Sequence, residues 1–298
     1  MKKNFCIPGG DLRQLQVARA LSEKGYNVSL FGFSDYSSDF SNIRLCQTLD
    51  EAFEEADYVV LPLPCSSDGV HLNAPYHKQS IPLKDLFCRI TPKMTVFTGK
   101  FNARQLQQRG VEVRDYFLRE ELQVANAVPT AEGAVQVAMQ ESPFTIHGSK
   151  CLVVGYGRIG KVLSRMLKNL DAEVWVAARK PEDLAWIRAA GCHPLEIREI
   201  CEEISRFELV FNTVPAMVIG REQLCRARKD ALFIDLASQP GGINFEQAKL
   251  CGINAVWLLS LPGKAAPRTA GDIIAETILN MIRSQPSHTA EESERNQS

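Results

Sequence analysis

Eleven residues, Lys150-Cys-Leu-Val-Val-Gly-Tyr-Gly-Arg-Ile-Gly160, constrain the fold of this chain more than any other stretch. Cys151 to Val154 are consecutive apolar residues, a run that suits a strand buried on both faces of a parallel sheet. Gly155, Gly157 and Gly160 follow at G-x-G-x-x-G spacing. Apolar residues then recur at helical spacing from Ile159 through Val162, Leu163, Met166 and Leu167 to Leu170. A strand that turns this tightly into a helix needs backbone freedom, which Gly155 supplies. Gly157 lets backbone approach a pyrophosphate, and Gly160 lets the helix lie close to the strand. The helix start, at Arg158 and Ile159, offers unpaired N–H groups and a positive dipole end to phosphates.

A glycine pattern alone is weak, and its context decides. Glu173 to Ala178 reads as the next strand, and Arg179 and Lys180 follow it, Arg179 nineteen positions past Gly160. NAD-binding proteins usually place an acid there, for the ribose 2′-hydroxyl. A guanidinium grips a 2′-phosphate with a planar fork of donors, whereas a carboxylate repels it. The stretch therefore favours NADP(H) over NAD(H). The competing reading is a plain Gly-rich turn followed by two solvated cations.

A length of 298 residues suggests two domains. An apolar fraction of 45% and a charged fraction of 23% describe a soluble globular protein. A net charge of −1 without a basic block speaks against nucleic acid or an anionic membrane as partner. No apolar run approaches a membrane span, and the segment after Met1-Lys2-Lys3 is too short and Gly-rich for a secretory signal. A cytoplasmic location is expected. The nine cysteines form no C-x-x-C pair and several sit in strand-like runs, as reduced buried thiols do. The five histidines lack metal-ligand spacing, and no metal is expected.

Taken in order, residues 4–8 read as a strand that enters Gly9-Gly10-Asp11-Leu12-Arg13 and then a helix ended by Gly25. Asp11 at that helix start would repel a pyrophosphate but serves as an N-cap. Strands follow at Val28 to Gly32, Tyr58 to Leu61 and Met94 to Phe97, with helices at Asp50 to Ala56 and from Ala103. The loop Pro62 to Gly69, containing Ser66, follows a strand's carboxyl end, where open α/β sheets bind ligands. Thr130 reads as the N-cap of a helix over Ala131 to Gln140. Strands near 151, 173, 193, 208, 231 and 254 then complete a six-stranded sheet. The carboxyl ends at Asn212-Thr213-Val214-Pro215 and at Asp235, Ala237 and Ser238 are expected to line a nicotinamide and its ribose. The fold class is α/β: two Rossmann-like doubly wound domains with mostly parallel sheets and a cleft between them. The expected divisions are an N-terminal substrate or partner domain at 1–129, an interdomain helix and hinge at 130–148, and a cofactor domain at 149–267. A helix at 268–283 packs back on the first domain, and a disordered tail spans 284–298.

Several strings resemble one family, the A subunit of dipicolinate synthase from spore-forming bacteria. They are Gly9-Gly-Asp-Leu-Arg-Gln-Leu15, Val128-Pro-Thr-Ala-Glu-Gly133, Thr145-Ile-His-Gly-Ser149, Gly155-Tyr-Gly-Arg-Ile-Gly160, Asn212-Thr-Val-Pro215, Asp235-Leu-Ala-Ser-Gln-Pro-Gly-Gly242 and Leu261-Pro-Gly-Lys-Ala-Ala-Pro-Arg-Thr-Ala-Gly271. Lys100, within Thr98 to Asn102, departs from the family's pattern. The resemblance spans residues 4 to 283. It implies oxidation of dihydrodipicolinate to dipicolinate during sporulation, in the mother-cell cytoplasm, with NADP(H). It also implies a partner, the flavoprotein-like B subunit of dipicolinate synthase. The step branches from lysine biosynthesis; a homo-oligomeric state is left open.

Such a substrate carries two carboxylates, so cationic anchors are needed. Arg13 and Arg268 are the expected anchors, with Asp11 and Ser66 also at the substrate. Thr130, Glu132 and His147 are the candidates for orientation or proton handling, each with a structural alternative: an N-cap, a first-turn acid and a hinge residue. Two other functions stay open. One is a different NADP-dependent two-domain dehydrogenase of an amino or hydroxy acid; the other is a non-catalytic NADP-binding regulatory protein.

Overall fold

The computed structural model describes residues 3–34 and 43–284. The expected tail at 284–298 lies, beyond Ser284, outside the described residues. The chain divides into two units: residues up to Gln123 together with those from Pro267, and Val124–Ala266.

The first unit alternates strand and helix: β1 (Asn4–Pro8), α1 (Leu12–Glu23), β2 (Asn27–Phe31), β3 (Ile43–Cys46), α2 (Leu49–Phe53), β4 (Tyr58–Val60), α3 (Leu83–Arg89), β5 (Thr95–Thr98), α4 (Arg104–Gln108) and β6 (Glu112–Asp115). The sheet order is β3-β2-β1-β4-β5-β6, and every named pair is parallel. Chain order therefore reverses between β1 and β4, as a doubly wound fold requires. Apolar side chains cover both faces: Ile7, Val60 and Phe97 point into one core, and Cys6, Val59 and Val96 into the other. The edge strand β3 and helix α3 carry too little apolar periodicity to stand out in the sequence. In β3 only Ile43 and Cys46 are buried, a pattern that follows from packing against a neighbour.

A long helix, α5 (Glu120–Glu141), crosses the boundary between the units along the chain. This corrects the expectation that Thr130 caps a helix starting at Ala131. Pro129 lies inside the helix, and the Thr130 hydroxyl donates back to the Asn126 carbonyl at 2.7 Å. Proline marks a helix start in sequence because its missing N–H is harmless there. Here the loss falls in mid-helix and leaves the Ala125 carbonyl without its usual donor.

The second unit continues with β7 (Lys150–Val154), α6 (Arg158–Asn169), β8 (Glu173–Ala178), α7 (Pro181–Ala189), β9 (His193–Glu196), α8 (Ile200–Glu203), β10 (Leu209–Asn212), α9 (Arg221–Arg226), β11 (Leu232–Asp235), α10 (Phe245–Leu250), β12 (Asn254–Trp257) and α11 (Leu261–Ala265). Its order, β12-β11-β10-β7-β8-β9, is again all parallel and again reverses beside its first strand. The expected strand positions and the α/β class agree with this sheet. Residues 261–271 hold α11 and the start of α12 (Pro267–Arg283). Helix α12 belongs to the first unit and lies close on α1: a Cβ on Gly271 would stand 2.6 Å from Arg13 O. Its Ile274, Ala275, Ile278 and Leu279 join the core that Ile7 and Phe97 occupy. Among the described residues no helix is long and apolar enough to cross a membrane.

Candidate functional site: the glycine turn at the carboxyl end of β7

Gly155 has φ +98, a conformation open to glycine at no steric cost. Thr213 and Val214 lie directly over it: a Cβ there would stand 2.5 Å from Thr213 Oγ1 and 2.8 Å from Val214 Cγ2. The Thr213 hydroxyl donates to the Val154 carbonyl at 2.9 Å and fixes that cover. Gly160 faces the Gly155 carbonyl so closely that any Cβ would overlap it. Gly157 is different. It is the N-cap of α6, it is exposed, and a Cβ added to it would meet nothing within 4 Å. The space a pyrophosphate needs over the helix start is open, so the residues present fit a dinucleotide. Arg158 is exposed beside it and Ile159 is half-buried.

Arg179 follows β8, is exposed and forms no ion pair or hydrogen bond among the described residues. Lys180 is the N-cap of α7. The 2′-phosphate position expected from the sequence thus carries an unengaged guanidinium.

Asn212 and Asp235 correct the expectation that they line a ribose. Both are fully buried. The Asp235 carboxylate accepts from Asn212 Nδ2 at 2.7 Å, Ala237 N at 3.0 Å, Gly242 N at 2.7 Å and Ile243 N at 3.1 Å. Asn212 Nδ2 also donates to Val214 O at 3.0 Å, and its Oδ1 accepts from Val214 N at 3.1 Å. Such a carboxylate has no lone pair left for a ligand. Its work is to tie the loop after β10 to the loop after β11. Gly242 O adds to this by accepting from Val218 N and Ile219 N. Ala237 is buried with its carbonyl held by Trp257 Nε1 at 2.9 Å, whereas Pro215 and Ser238 remain accessible at the carboxyl ends.

Other expected residues are placed as follows. His147 precedes β7, so it stands at the amino end of the sheet, a strand length of about 17 Å from the glycine turn. Its ring is exposed and stands 3.7 Å from Asp171, while its carbonyl accepts from the Thr145 hydroxyl at 3.1 Å; this geometry favours the hinge role over proton handling. Glu132 is exposed on α5, and Thr130 is committed to Asn126 O. In the first unit, Asp11 and Arg13 are brought together, but onto each other. Asp11 caps α1 through Arg13 N at 3.0 Å and pairs with the Arg13 guanidinium at 2.7 to 3.1 Å, while Arg13 also donates to the Leu63 carbonyl. This buried arginine organises its own loop and does not stand free as an anchor. Ser66 donates to Asp68 and accepts from Gly69 N within its turn. Arg268 lies, exposed, in the first turn of α12.

The first unit's own glycine turn is closed. Gly10 N donates to Asn73 O at 2.7 Å, and a Cβ on Gly9 would stand 2.9 Å from Leu72 and 3.0 Å from Asn73 O. The chain's own segment 72–74 fills the place that phosphates would take. A cavity of about 760 Å³ in this unit, between Val70, Leu83, Phe87 and Phe101, lies at the α3–α4 face.

The sequence reading missed Asn126. Its Oδ1 is buried with no donor. Leaving such an acceptor unmet costs about 1–3 kcal/mol, so it calls for a reason. The signal available in the sequence was the Asn-x-x-Pro-Thr spacing, which reads equally well as an ordinary helix start.

Two family models match the chain. One is the N-terminal domain of the dipicolinate synthase A subunit, over residues 4–117; the other is D-isomer specific 2-hydroxyacid dehydrogenase, NAD binding domain, over residues 118–242. The A subunit of dipicolinate synthase from Bacillus subtilis (strain 168) is 32% identical over 93% of this chain and 95% of that protein. The chain belongs to the family of dipicolinate synthase A subunits. The crystal structures of the A subunits from Bacillus halodurans and from Bacillus subtilis agree, each 31% identical over 95% of this chain, with TM-scores of 0.87 and 0.85 and 98% and 96% of those chains covered. A transhydrogenase from Sinorhizobium meliloti shares the fold at 16% identity and a TM-score of 0.71, covering 94% of this chain and 93% of that one. As a family member the chain carries a dehydrogenase-type nucleotide-binding domain, and the cofactor class is a nicotinamide dinucleotide.

Proposed function

We propose that this chain oxidises dihydrodipicolinate to dipicolinate with NADP as hydride acceptor, as one subunit of a two-subunit enzyme of sporulation. The observation that carries the reading is the open turn at Gly157, with the unengaged Arg179 beyond β8, in a chain of this family. When bound, the nicotinamide supplies a ring carbon that takes a hydride; the substrate also loses a proton and becomes aromatic. Because aromaticity supplies driving force, the protein's task is positioning more than strong base catalysis. Gly155 and Gly160 keep β7 and α6 close, and the helix start with Gly157 receives the pyrophosphate. Arg179 holds the 2′-phosphate with charge-assisted hydrogen bonds. Thr213, Val214, Pro215 and Ser238 stand at the nicotinamide side, framed from below by Asn212 and Asp235. Arg268 is the remaining candidate for a substrate carboxylate. The partner is the B subunit of the synthase, and the setting is the cytoplasm of the mother cell, where lysine biosynthesis supplies the substrate.

The test follows NADPH absorbance with NADP, enzymatically generated dihydrodipicolinate, and this chain with and without its candidate partner. Substrate-dependent NADPH formation is expected, with NAD a poorer acceptor. In Arg179→Asp the preference for NADP should fall by at least about tenfold, the loss of one charge-assisted contact. Absence of turnover in both mixtures, although NADP binds, would sink the assignment of substrate.

A further inference from the structure

We infer that Asn126 is a cofactor-contacting residue, whose side-chain oxygen receives the carboxamide N–H of a bound nicotinamide. The inference rests on the reading of the second unit as a nicotinamide dinucleotide site.

Three observations lead to it. The first is that Asn126 Oδ1 is buried without a donor, whereas Asn212, a fully buried residue of this unit, has both ends of its amide engaged. Beside it the Ala125 carbonyl has lost its helical donor to Pro129, and Thr130 has turned its hydroxyl onto the Asn126 carbonyl. An unmet side-chain acceptor thus lies beside a backbone carbonyl that has lost its helical donor. A site of that kind receives a donor; it does not receive a carboxylate.

The second observation is height. Helix α5 ends at Glu141 and the chain turns into the amino end of β7, so α5 runs opposite to the strands. Asn126 lies fifteen residues back from Glu141, about 22 Å along the helix, against about 17 Å for β7. Asn126 therefore stands just above the carboxyl ends of the strands, at the level of the glycine turn.

The third is side. Asn126, Thr130 and Gly133 share one helical stripe, at i, i+4 and i+7. Gly133 looks onto α11: a Cβ there would stand 3.1 Å from Leu261 and from Ala265. Helix α11 follows β12, on the β10–β12 side of the glycine turn, whereas Arg179 follows β8 on the other side. A dinucleotide laid across this switch point with its 2′-phosphate at Arg179 brings its nicotinamide half to the side that Asn126 faces. The carboxamide is the uncharged N–H donor of that half, and it enters a buried site without the cost of burying charge.

Binding titrations on the full chain test this with three probes: NADP, its 3-acetylpyridine analogue, in which an acetyl group replaces the carboxamide and removes the N–H, and adenosine 2′,5′-bisphosphate, which has no nicotinamide. The wild-type protein should prefer NADP over the analogue by about tenfold, a hydrogen bond's worth. Asn126→Ala should bring the two within about twofold and leave the bisphosphate unchanged. Asn126→Asp, which keeps an acceptor, should retain the preference, and thermal melting of both variants checks that they fold. A wild-type protein that binds NADP and the analogue equally, or an Asn126→Ala variant that keeps the preference or weakens all three probes alike, would overturn the role of Asn126 while leaving the dinucleotide site standing. Failure of the wild-type protein to bind any of the three would overturn both.

Discussion

Asp235 shows at the scale of one residue how a charge can be essential without touching a ligand. Its carboxylate meets one side-chain and three backbone N–H groups in a fully buried place. Asp235→Ala would strand those donors away from water and is expected to lower stability by about 3 kcal/mol or more; urea unfolding followed by far-UV circular dichroism checks it. Asp68 offers a contrast at the surface. The His71 backbone N–H, the His71 ring and the Val70 N–H hold its carboxyl well below the usual carboxylate range. A carboxyl lowered on folding contributes stability above its unfolded value, near pH 3.9. That contribution disappears as pH falls through the lowered folded value. The turn at 66–71 should therefore persist below pH about 4, and Asp68→Asn should remove the dependence, as NMR titration of the Val70 and His71 amides would show.

Two glycines of one element separate folding from binding. Gly160 packs against the Gly155 carbonyl, so Gly160→Ala forces backbone to move and should destabilise the second unit by about 1–3 kcal/mol. Gly157 has φ −80 and ψ −161, which alanine adopts freely, and open space beside it. Gly157→Ala should melt within about 1 kcal/mol of the wild-type protein, yet bind NADP at least about tenfold more weakly, because the new methyl stands where the pyrophosphate approaches. Equal losses in both variants, measured by thermal melting and NADP titration, would refute this division. The same fingerprint spacing therefore holds one glycine for the fold and one for the ligand.

Over the whole molecule, the first unit is not finished until the last helix arrives. Ile274, Ala275, Ile278 and Leu279 of α12 fill the core that β1 and α1 begin more than two hundred residues earlier. Truncation after Ala266 should expose that face, so that the protein binds a hydrophobic dye strongly and aggregates, whereas truncation after Ser284 should not. Much of this organisation was legible in the sequence. Apolar runs and glycine turns are local, and they marked all six strands of the second sheet, its α/β class and the open fingerprint at Gly155 to Gly160. Where function depends on what lies opposite, local pattern could not reach. Asp11 already spoke against a phosphate at Gly9-Gly10, but segment 72–74 closing that turn is visible only in the structure; Arg13 looks like an anchor until Asp11 and the Leu63 carbonyl claim it. Pro129 reads as a helix start because proline is tolerated there, and only packing along α5 carries the helix back to Glu120. Hydrophobic period and turn chemistry are properties of neighbours in sequence, so the chain alone determined its architecture and its cofactor turn. Burial and the partner of each polar group are properties of neighbours in space, so the tertiary structure decided which residues stand free to bind and which hold the frame.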